Sequence, residues 1–361
     1  MNALYPLRRE ALTAAQPLPY WGVGQGVSVV SVAFMTGPVL WEHVDSVLSD
    51  PDVDDLVLVD NGSTDEDAAR LRRLAEREPR LVLIQGGGNI GFAAACNLGA
   101  SRASGAWLLF LNPDALLRPG VVRTMVAARL ARPEAPVVVG GRILNIDGSE
   151  QAGGRRGEVT PVTTLLSLTR LTKLPRFARY EIHQEHAPAP LRPVEIPTIS
   201  GACFLMSAAD YAAVGGFDTG FFLHVEDIDL CWRVRRLGGV VLHHPGAEVL
   251  HYGHTSFTEP MFVEYWKGRG LARYFRKRAD LKRRKLLAWV LGPFIVAASL
   301  ARAGVLLWRA RRRSRRAFAA VRPPAPAVSG ADFRAAPERR PRVTGPTVSD
   351  VGAVRRSTQP F

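Results

Sequence analysis

Four places in the chain set oxygen ligands or bases just after apolar runs, where the tip of a strand or the start of a helix would present them. Asp60 ends "DLVLVD" and is followed by Asn61 and Gly62. A carboxylate there can accept the imide N–H of a uracil or thymine, or a ribose hydroxyl. It can equally close a turn with its Asn-Gly neighbours. Asn112-Pro113-Asp114 follows "WLLFL" and projects a hard oxygen of the kind that holds Mg²⁺ or Mn²⁺ jointly with a diphosphate, although such a triplet is also a common turn. Glu226, Asp227 and Asp229 crowd the start of "EDIDLCWRVRR", where a helix macrodipole favours anions. The aromatic and apolar residues before them argue against a purely solvated face, and a carboxylate kept ionised beside an acceptor hydroxyl serves as general base. Downstream, His251 and His254 in "LHYGHTS" offer imidazoles, though HxxH alone is not a zinc signature.

The stretch "IQGGGNIGFAAACNLG" adds Gly86-x-Gly88-x-x-Gly91 between an apolar run and a helix-like one. That is the spelling of the dinucleotide-binding fingerprint, and Asp114 even follows at about the 20-residue distance of its ribose-binding acid. The context opposes an NAD-dependent oxidoreductase. The fingerprint belongs in the first βα turn of its domain, and here two strands precede it. The glycines shape a nucleotide pocket or simply shorten a βα loop.

The elements that must position these residues alternate from Val27 onward. "VSVVSVAF", "DLVLV", "RLVLIQ", "AWLLFLN" and "PVVVGGRIL" are short β-branched runs of the buried-strand type. Helical patterns fall between them: one opening at Pro38, one after Ser63 and Glu66 as a capping box, "FAAACNLGASRA", and one with Pro119 near its first position. This βαβα order predicts a mostly parallel sheet with ligands at the carboxyl ends of its strands. Residues 147–195 read as loop-rich, a length that points to a lid or acceptor-binding segment. A small helix ends at Gly215-Gly216, the helix begun by Glu226 closes at Gly238, and "VVLHH" and "EVLH" are two short strand-like runs.

Charge divides the chain. The 361 residues carry +14 overall, yet residues from Lys267 onward hold 24 Lys/Arg against 4 Asp/Glu, leaving 23 against 29 before it. Basicity confined to a tail speaks against nucleic acid, which needs a basic groove in a binding fold, and suits an anionic membrane surface. Residues 286–308 bear a single charge, Arg302, between "KRRK" and "RARRRSRR". Twenty-three residues suffice to cross a bilayer or to lie in its plane; Pro293 would kink the helix, and Arg302 would cost up to ~3 kcal/mol unless it snorkels. A buried soluble helix is the third reading. Cys96, Cys203 and Cys231 are widely spaced and fit buried thiols in a reducing compartment. No signal-peptide apolar region is visible near the start. The expected organisation is an N-terminal extension over 1–26, a catalytic domain over 27–266, a membrane-associating helical region over 267–317 and a disordered tail over 318–361.

In order, "VSVVSVAF", "VDNGSTD", "NIGFAAACNLG", "FLNPDA", "SGACFLMS", "GGFDTGFFLHVEDIDLCWR" and "VLHYGHTS" resemble the family 2 glycosyltransferases, most closely the bacterial rhamnosyltransferase branch acting on lipid-linked saccharides. The resemblance spans about residues 27–257. It implies the GT-A fold, a Rossmann-like mixed α/β sheet flanked by helices that binds a nucleotide-diphospho-sugar, here carrying a C-terminal helical membrane-associating extension. By the same resemblance Asp60 and Asn61 contact base or ribose; Asn89, Gly91, Asn97, Asn112 and Gly201 lie near the nucleotide sugar; Asp114 and His251 hold Mg²⁺ or Mn²⁺; and Asp227, with Glu226 beside it, is the catalytic base. It further implies inverting transfer, dTDP-L-rhamnose as donor, a polyprenyl-linked or polysaccharide acceptor, and residence on the cytoplasmic face of the plasma membrane. Two departures stand out: the first strand ends Ala33-Phe34-Met35 rather than Thr-Tyr-Asn, and Asn112 replaces the first acid of the DxD motif. A non-catalytic nucleotide-sugar-binding protein is the alternative.

Overall fold

The computed structural model describes residues 26–320 apart from 254, 257, 280 and 281. The expected N-terminal extension and tail therefore lie almost wholly outside the described residues, and His254 does too. The first half alternates as the sequence predicts: β1 (Val27–Ala33), α1 (Val39–Leu48), β2 (Asp55–Asp60), α2 (Asp65–Ala75), β3 (Leu81–Ile84), α3 (Phe92–Ala100) and β4 (Trp107–Leu111). Strands β3-β2-β1-β4 are parallel neighbours. Alternation along a strand sends successive side chains to opposite faces. In β1, Val27 and Val29 join one apolar cluster with Leu40, Val44 and Met125, while Val30 and Val32 join another with Phe110, Phe204 and Cys231. Both faces are thus covered, which explains why the strands read as unbroken apolar runs.

Beyond β4 the sheet departs from the parallel expectation. β5 (Ala115–Leu116), α4 (Val121–Leu130), β6 (Val137–Leu144), β7 (Arg155–Arg156), α5 (Pro161–Leu168), β8 (Val194–Glu195), β9 (Thr198–Ile199), β10 (Cys203–Ser207), α6 (Ala208–Val214), α7 (Glu226–Arg236) and β11 (Val240–His251) follow. β10 enters antiparallel between β4 and β6, completing the order β3-β2-β1-β4-β10-β6-β11-β5. The sheet is mixed, as the family resemblance implies, because a strand inserted in reverse needs no crossover on the same side. The two runs expected after α7 form one strand, β11, with a register shift between His244 and Glu248. β7 pairs with β9 in a separate two-stranded ladder. The segment 147–195 is more ordered than its composition suggests, holding α5 and two 3₁₀ turns.

Two helix starts are displaced from expectation. Thr64, not Ser63, caps α2 by accepting the Asp67 N–H, while the Ser63 N–H goes to Asp60. α4 begins after Gly120 in the left-handed region, one residue beyond Pro119.

α8 (Pro260–Arg278) and α9 (Lys282–Ala320) close the described chain. The boundary expected at 266/267 falls inside α8, because Leu271, Tyr274 and Phe275 bury against Phe221, Val225 and Ile228 of the α/β body. Lys285–Val305 is long and apolar enough to cross a membrane, and α9 runs through Pro293 as one helix. One flank of it is nevertheless covered by α8. A Cβ on Gly268 would come within 3.0 Å of Val296 and Ser299, Gly292 faces Ala272 and Arg276, and Arg276 stacks over Trp289 at 4.5 Å. Leu286, Leu287, Val290 and Phe294 remain exposed.

Candidate active site

The reversed direction of β10 builds the site. It lays Cys203 opposite Leu111, so the residues leaving β4 and those entering β10 meet at one sheet edge: the Asn112 N–H donates to the Ala202 carbonyl at 2.9 Å. β11 returns beside β5 with His251 opposite Ala115. Asp114 and His251, 137 residues apart, are thereby brought to 3.0 Å (Oδ1 to Nε2). Thr255 donates its hydroxyl to Asp114 Oδ2 at 3.0 Å. Burial alone would raise the Asp114 carboxyl, but the His251 and Thr255 contacts outweigh it and hold the group below its ordinary value.

The imidazole is oriented from behind by Gln151. The Gln151 amide nitrogen donates to Asn145 Oδ1 and to the His251 carbonyl, which turns its oxygen toward His251 Nδ1 at 2.6 Å. A ring protonated on both nitrogens donates to Gln151 and to Asp114, the state that holds the carboxyl down; a neutral ring donating at Nδ1 would instead turn its Nε2 lone pair toward the carboxylate, with Asn112 Nδ2 at 3.2 Å. Two acceptors at that distance repel unless a cation or a proton lies between them. An imidazole nitrogen beside a carboxylate oxygen, fixed by an outer hydrogen bond, is a donor set suited to a divalent ion. Among the described residues no third His, Cys, Asp or Glu completes a metal cluster, so further positions of a bound ion would fall to substrate oxygens and water. The residues fit a divalent cation held at Asp114 and His251.

Asp227 stands at the start of α7, behind His224 (φ 64°) and Val225 (φ 75°). A β-branched residue at positive φ is strained, and such strain concentrates where a turn must aim functional groups. Asp227 Oδ2 accepts from Arg156 Nη1 at 2.8 Å and from the Gly201 N–H at 3.0 Å; Oδ1 accepts from the Ile228 N–H at 2.8 Å. Gly201 directly precedes Ala202, which holds Asn112. One seam of adjacent residues therefore runs from Asp227 through Gly201, Ala202 and Asn112 to Asp114. Gly201 serves Asp227 here, and a Cβ on it would lie 3.3 Å from the Asp227 Cβ.

The two neighbouring acids differ in protonation. Burial, then the Asp227 charge, pushes Glu226 up to about 8, so it carries its proton at neutral pH, and its Oε2 has no partner among the described residues. Burial also acts on Asp227, yet the charge and hydrogen bond of Arg156 and the Gly201 and Ile228 N–H groups hold it below its ordinary value. Asp227 is the ionised member of the pair. Glu226, expected beside it as a second catalytic carboxylate, is a proton-bearing neighbour. Asp229, the third acid of the cluster, is fully buried in ion pairs with Arg233 at 2.7 Å and Lys277 at 2.8 Å.

A second group lies at the tips of β2 and β3. Asp60 Oδ1 accepts the Gly62 and Ser63 N–H groups, and Oδ2 accepts Gln85 Nε2 at 2.8 Å, so Asp60 closes the turn and faces Gln85. Asn61 donates to Asn89 Oδ1 at 3.0 Å and accepts the Ile90 N–H, bracing the glycine loop. Gly91 (φ 87°) lets that loop touch the segment before α7: a Cβ would sit 2.9 Å from the Phe222 carbonyl, which accepts the Phe92 N–H at 2.8 Å. Asn97 stands apart from the expected nucleotide contacts. Its amide is engaged by Tyr211 Oη and by both the N–H and the carbonyl of Phe217, which makes it a brace inside the aromatic cluster of Phe110, Phe204, Tyr211 and Phe217.

Gln85, Gln151 and Arg156 carry no motif signal; each is recognised only through a partner 25, 100 or 71 residues away.

A mixed sheet flanked by helices, with an acid–histidine pair and an ionised carboxylate on one edge, is the GT-A architecture of a sugar-transferring enzyme. The chain belongs to glycosyl transferase family 2, whose family model matches residues 28–214. Among its relatives is the N-acetylglucosaminyl-diphospho-decaprenol L-rhamnosyltransferase of Mycobacterium tuberculosis, 28% identical over 247 residues, covering 64% of this chain and 78% of that protein. The rhamnosyltransferase WbbL of Escherichia coli is 37% identical over 89 residues, 24% of this chain and 33% of that one. Among solved structures, GalNAc-T7 with UDP, GalNAc and Mn²⁺ superposes with a TM-score of 0.50 at 18% identity, over 70% of this chain and 48% of that one. That likeness concerns the fold. The enzyme class is glycosyltransferase, and the oxidoreductase reading of the glycine run falls away.

Proposed function

We propose that this glycosyltransferase moves L-rhamnose, with inversion, from dTDP-L-rhamnose to a hydroxyl of a sugar carried on a polyprenyl diphosphate, at the cytoplasmic membrane face. The observation that carries the chemistry is the seam joining ionised Asp227 to the Asp114–His251 pair. The names of the mycobacterial and E. coli relatives support the sugar and the lipid-linked acceptor. In the reaction, Asp227 takes the proton of the acceptor hydroxyl as that oxygen bonds to the anomeric carbon, and the bond from the same carbon to the nucleotide diphosphate breaks on the opposite face. Asp114 and His251 would hold Mg²⁺ or Mn²⁺, which when bound neutralises charge on the departing diphosphate. Gly201 and Ile228 keep the base aimed, while Asn61 and Asn89 shape the loop on the nucleotide side.

The test is transfer from dTDP-, UDP- and GDP-sugars to a prenyl-diphosphate-linked N-acetylglucosamine, for the wild type and Asp227→Asn. The expected result is dTDP-L-rhamnose as preferred donor and a loss of about 10²–10⁴ in kcat for the variant with donor affinity kept. Undiminished turnover by Asp227→Asn removes this residue as the base, and preference for another nucleotide sugar replaces the donor.

A further inference from the structure

Three basic side chains outside the expected site come from different elements around Lys267, which feels both Arg302 and Arg156. Arg156 arrives on β7 and touches the carboxylate itself. Lys267 sits on the turn of α8 that is wedged between the catalytic loop and α9. Its neighbour Gly268 packs against Val296 and Ser299, and Gly270, one turn on, packs against the His224 carbonyl and Val225, immediately before Glu226. Arg302 lies three residues past Ser299, on the same face of α9. Lys267 is partly buried, and among the described residues neither Lys267 nor Arg302 has a hydrogen-bond or ion-pair partner. Burial depresses the Lys267 ammonium; Glu264 opposes this, Arg302 and Arg156 depress it further, and Asp227 pulls it back up. Holding the half-buried Lys267 near two further cations without an anion in contact with it is unfavourable. Among the described residues, Glu226 Oε2 at the start of α7 and Glu264 Oε2 and Trp266 Nε1 on α8 beside Lys267 are also buried without partners. Trp266 stacks on Phe222 at 4.5 Å in the loop leading to Glu226.

We infer that Arg156, Lys267 and Arg302 form a cradle for the diphosphate of the lipid-linked acceptor, distinct from the cation that serves the donor diphosphate. The inference rests on the proposed function and adds how its acceptor is recognised. A diphosphate supplies the anionic partner that Lys267 and Arg302 lack, and a second one for Arg156 beside Asp227. The exposed Leu286, Val290 and Phe294 on α9 would offer the attached prenyl chain an apolar surface along the helix. Arg156 also gains an alternative partner: its transfer from Asp227 to the acceptor phosphate would release Oδ2 for the hydroxyl proton, so that the base is freed only when acceptor is bound.

The test measures binding, independent of turnover, on the full chain in detergent, using farnesyl diphosphate, farnesol, inorganic pyrophosphate and dTDP as probes. Farnesyl diphosphate is expected to bind at least tenfold more tightly than farnesol or pyrophosphate. Lys267→Gln and Arg302→Gln should each weaken it about tenfold while dTDP affinity stays within twofold. Arg302 is exposed, so its variant keeps the fold even if Lys267→Gln does not. Unchanged farnesyl diphosphate affinity in Arg302→Gln and Arg156→Lys overturns the cradle, and a matching loss of dTDP affinity reassigns the cations to the donor. Equal binding of pyrophosphate and farnesyl diphosphate replaces the lipid by any free diphosphate. Failure of the transfer assay with normal prenyl diphosphate binding would instead count against the proposed reaction.

Discussion

Glu226 and Asp227 are adjacent in sequence and similarly buried, and they end in opposite protonation states because Asp227 alone is held by a guanidinium together with the N–H groups of Gly201 and Ile228, whereas Glu226 has only its own backbone N–H. The consequence can be read in stability. The pKa of Glu226 is raised from 4.5 to about 8 in the folded protein, so the folded state binds a proton that the unfolded chain has already lost. Its contribution to stability is complete below pH 4.5 and declines as pH rises through about 8. Glu226→Gln, which keeps the neutral shape, should leave the melting temperature near that of wild type at pH 4.5 and raise it increasingly toward pH 8. A constant difference across that range would contradict the assignment. The residue types at this site were legible from the sequence: strand-tip and helix-start acids were found where the seam now lies. Their partners were not, because Gln85, Gln151 and Arg156 reach their targets from loops and short strands whose composition is ordinary polar surface. Asn97 shows the converse error, a polar residue with a motif whose bonds are all spent inside an aromatic cluster.

At the scale of elements, apolar β-branched runs and helical spacing reveal the strands β1–β4, β6 and β11 and the helices α1–α4, α6 and α7, since periodicity is a local property, whereas the two-residue strands β5, β7, β8 and β9 and the helix α5 carry no such signal. The direction of β10 is not local. It depends on which strands flank it, and nothing in "CFLMS" distinguishes a reversed partner from a parallel one. The docking of α8 was equally hidden behind its basic composition. That docking depends on Asp229, which neutralises Arg233 within α7 and Lys277 from α8 with no exposure of its own, while Asp218 binds Lys277 and Arg273. Removing one partner of a buried ion pair costs about 3–5 kcal/mol, because the remaining charges stay desolvated. Asp229→Ala should therefore lower the melting temperature and deprotect α8 in hydrogen exchange before the sheet opens. Uniform deprotection of sheet and helix would show that α8 is not held separately by this network.

For the molecule as a whole, the charge split between an acidic body and a basic tail is paralleled by a split in α9, with one flank against α8 and the other apolar and open. An anchor lying along the surface should yield to substitutions on that open flank. Burying a Val or Phe contributes roughly 1.5–3 kcal/mol, so Val290→Ser combined with Phe294→Ser should reduce sedimentation with anionic vesicles at least tenfold. Deletion of 286–361 should abolish it. A double variant that still pellets fully would indicate a transmembrane crossing rather than in-plane attachment.

The antiparallel β7–β9 ladder pins both ends of the intervening chain, 157–197, to the rim beside Arg156 and Gly201. Further ties hold that segment, Glu158 to Arg235 of α7, Val159 and Ile182 to Val225 and Ile228, and β8 to β11, so that freedom to change in length or composition falls to the exposed stretches between them. Variation in those stretches would leave the seam between Asp227 and Asp114 in place.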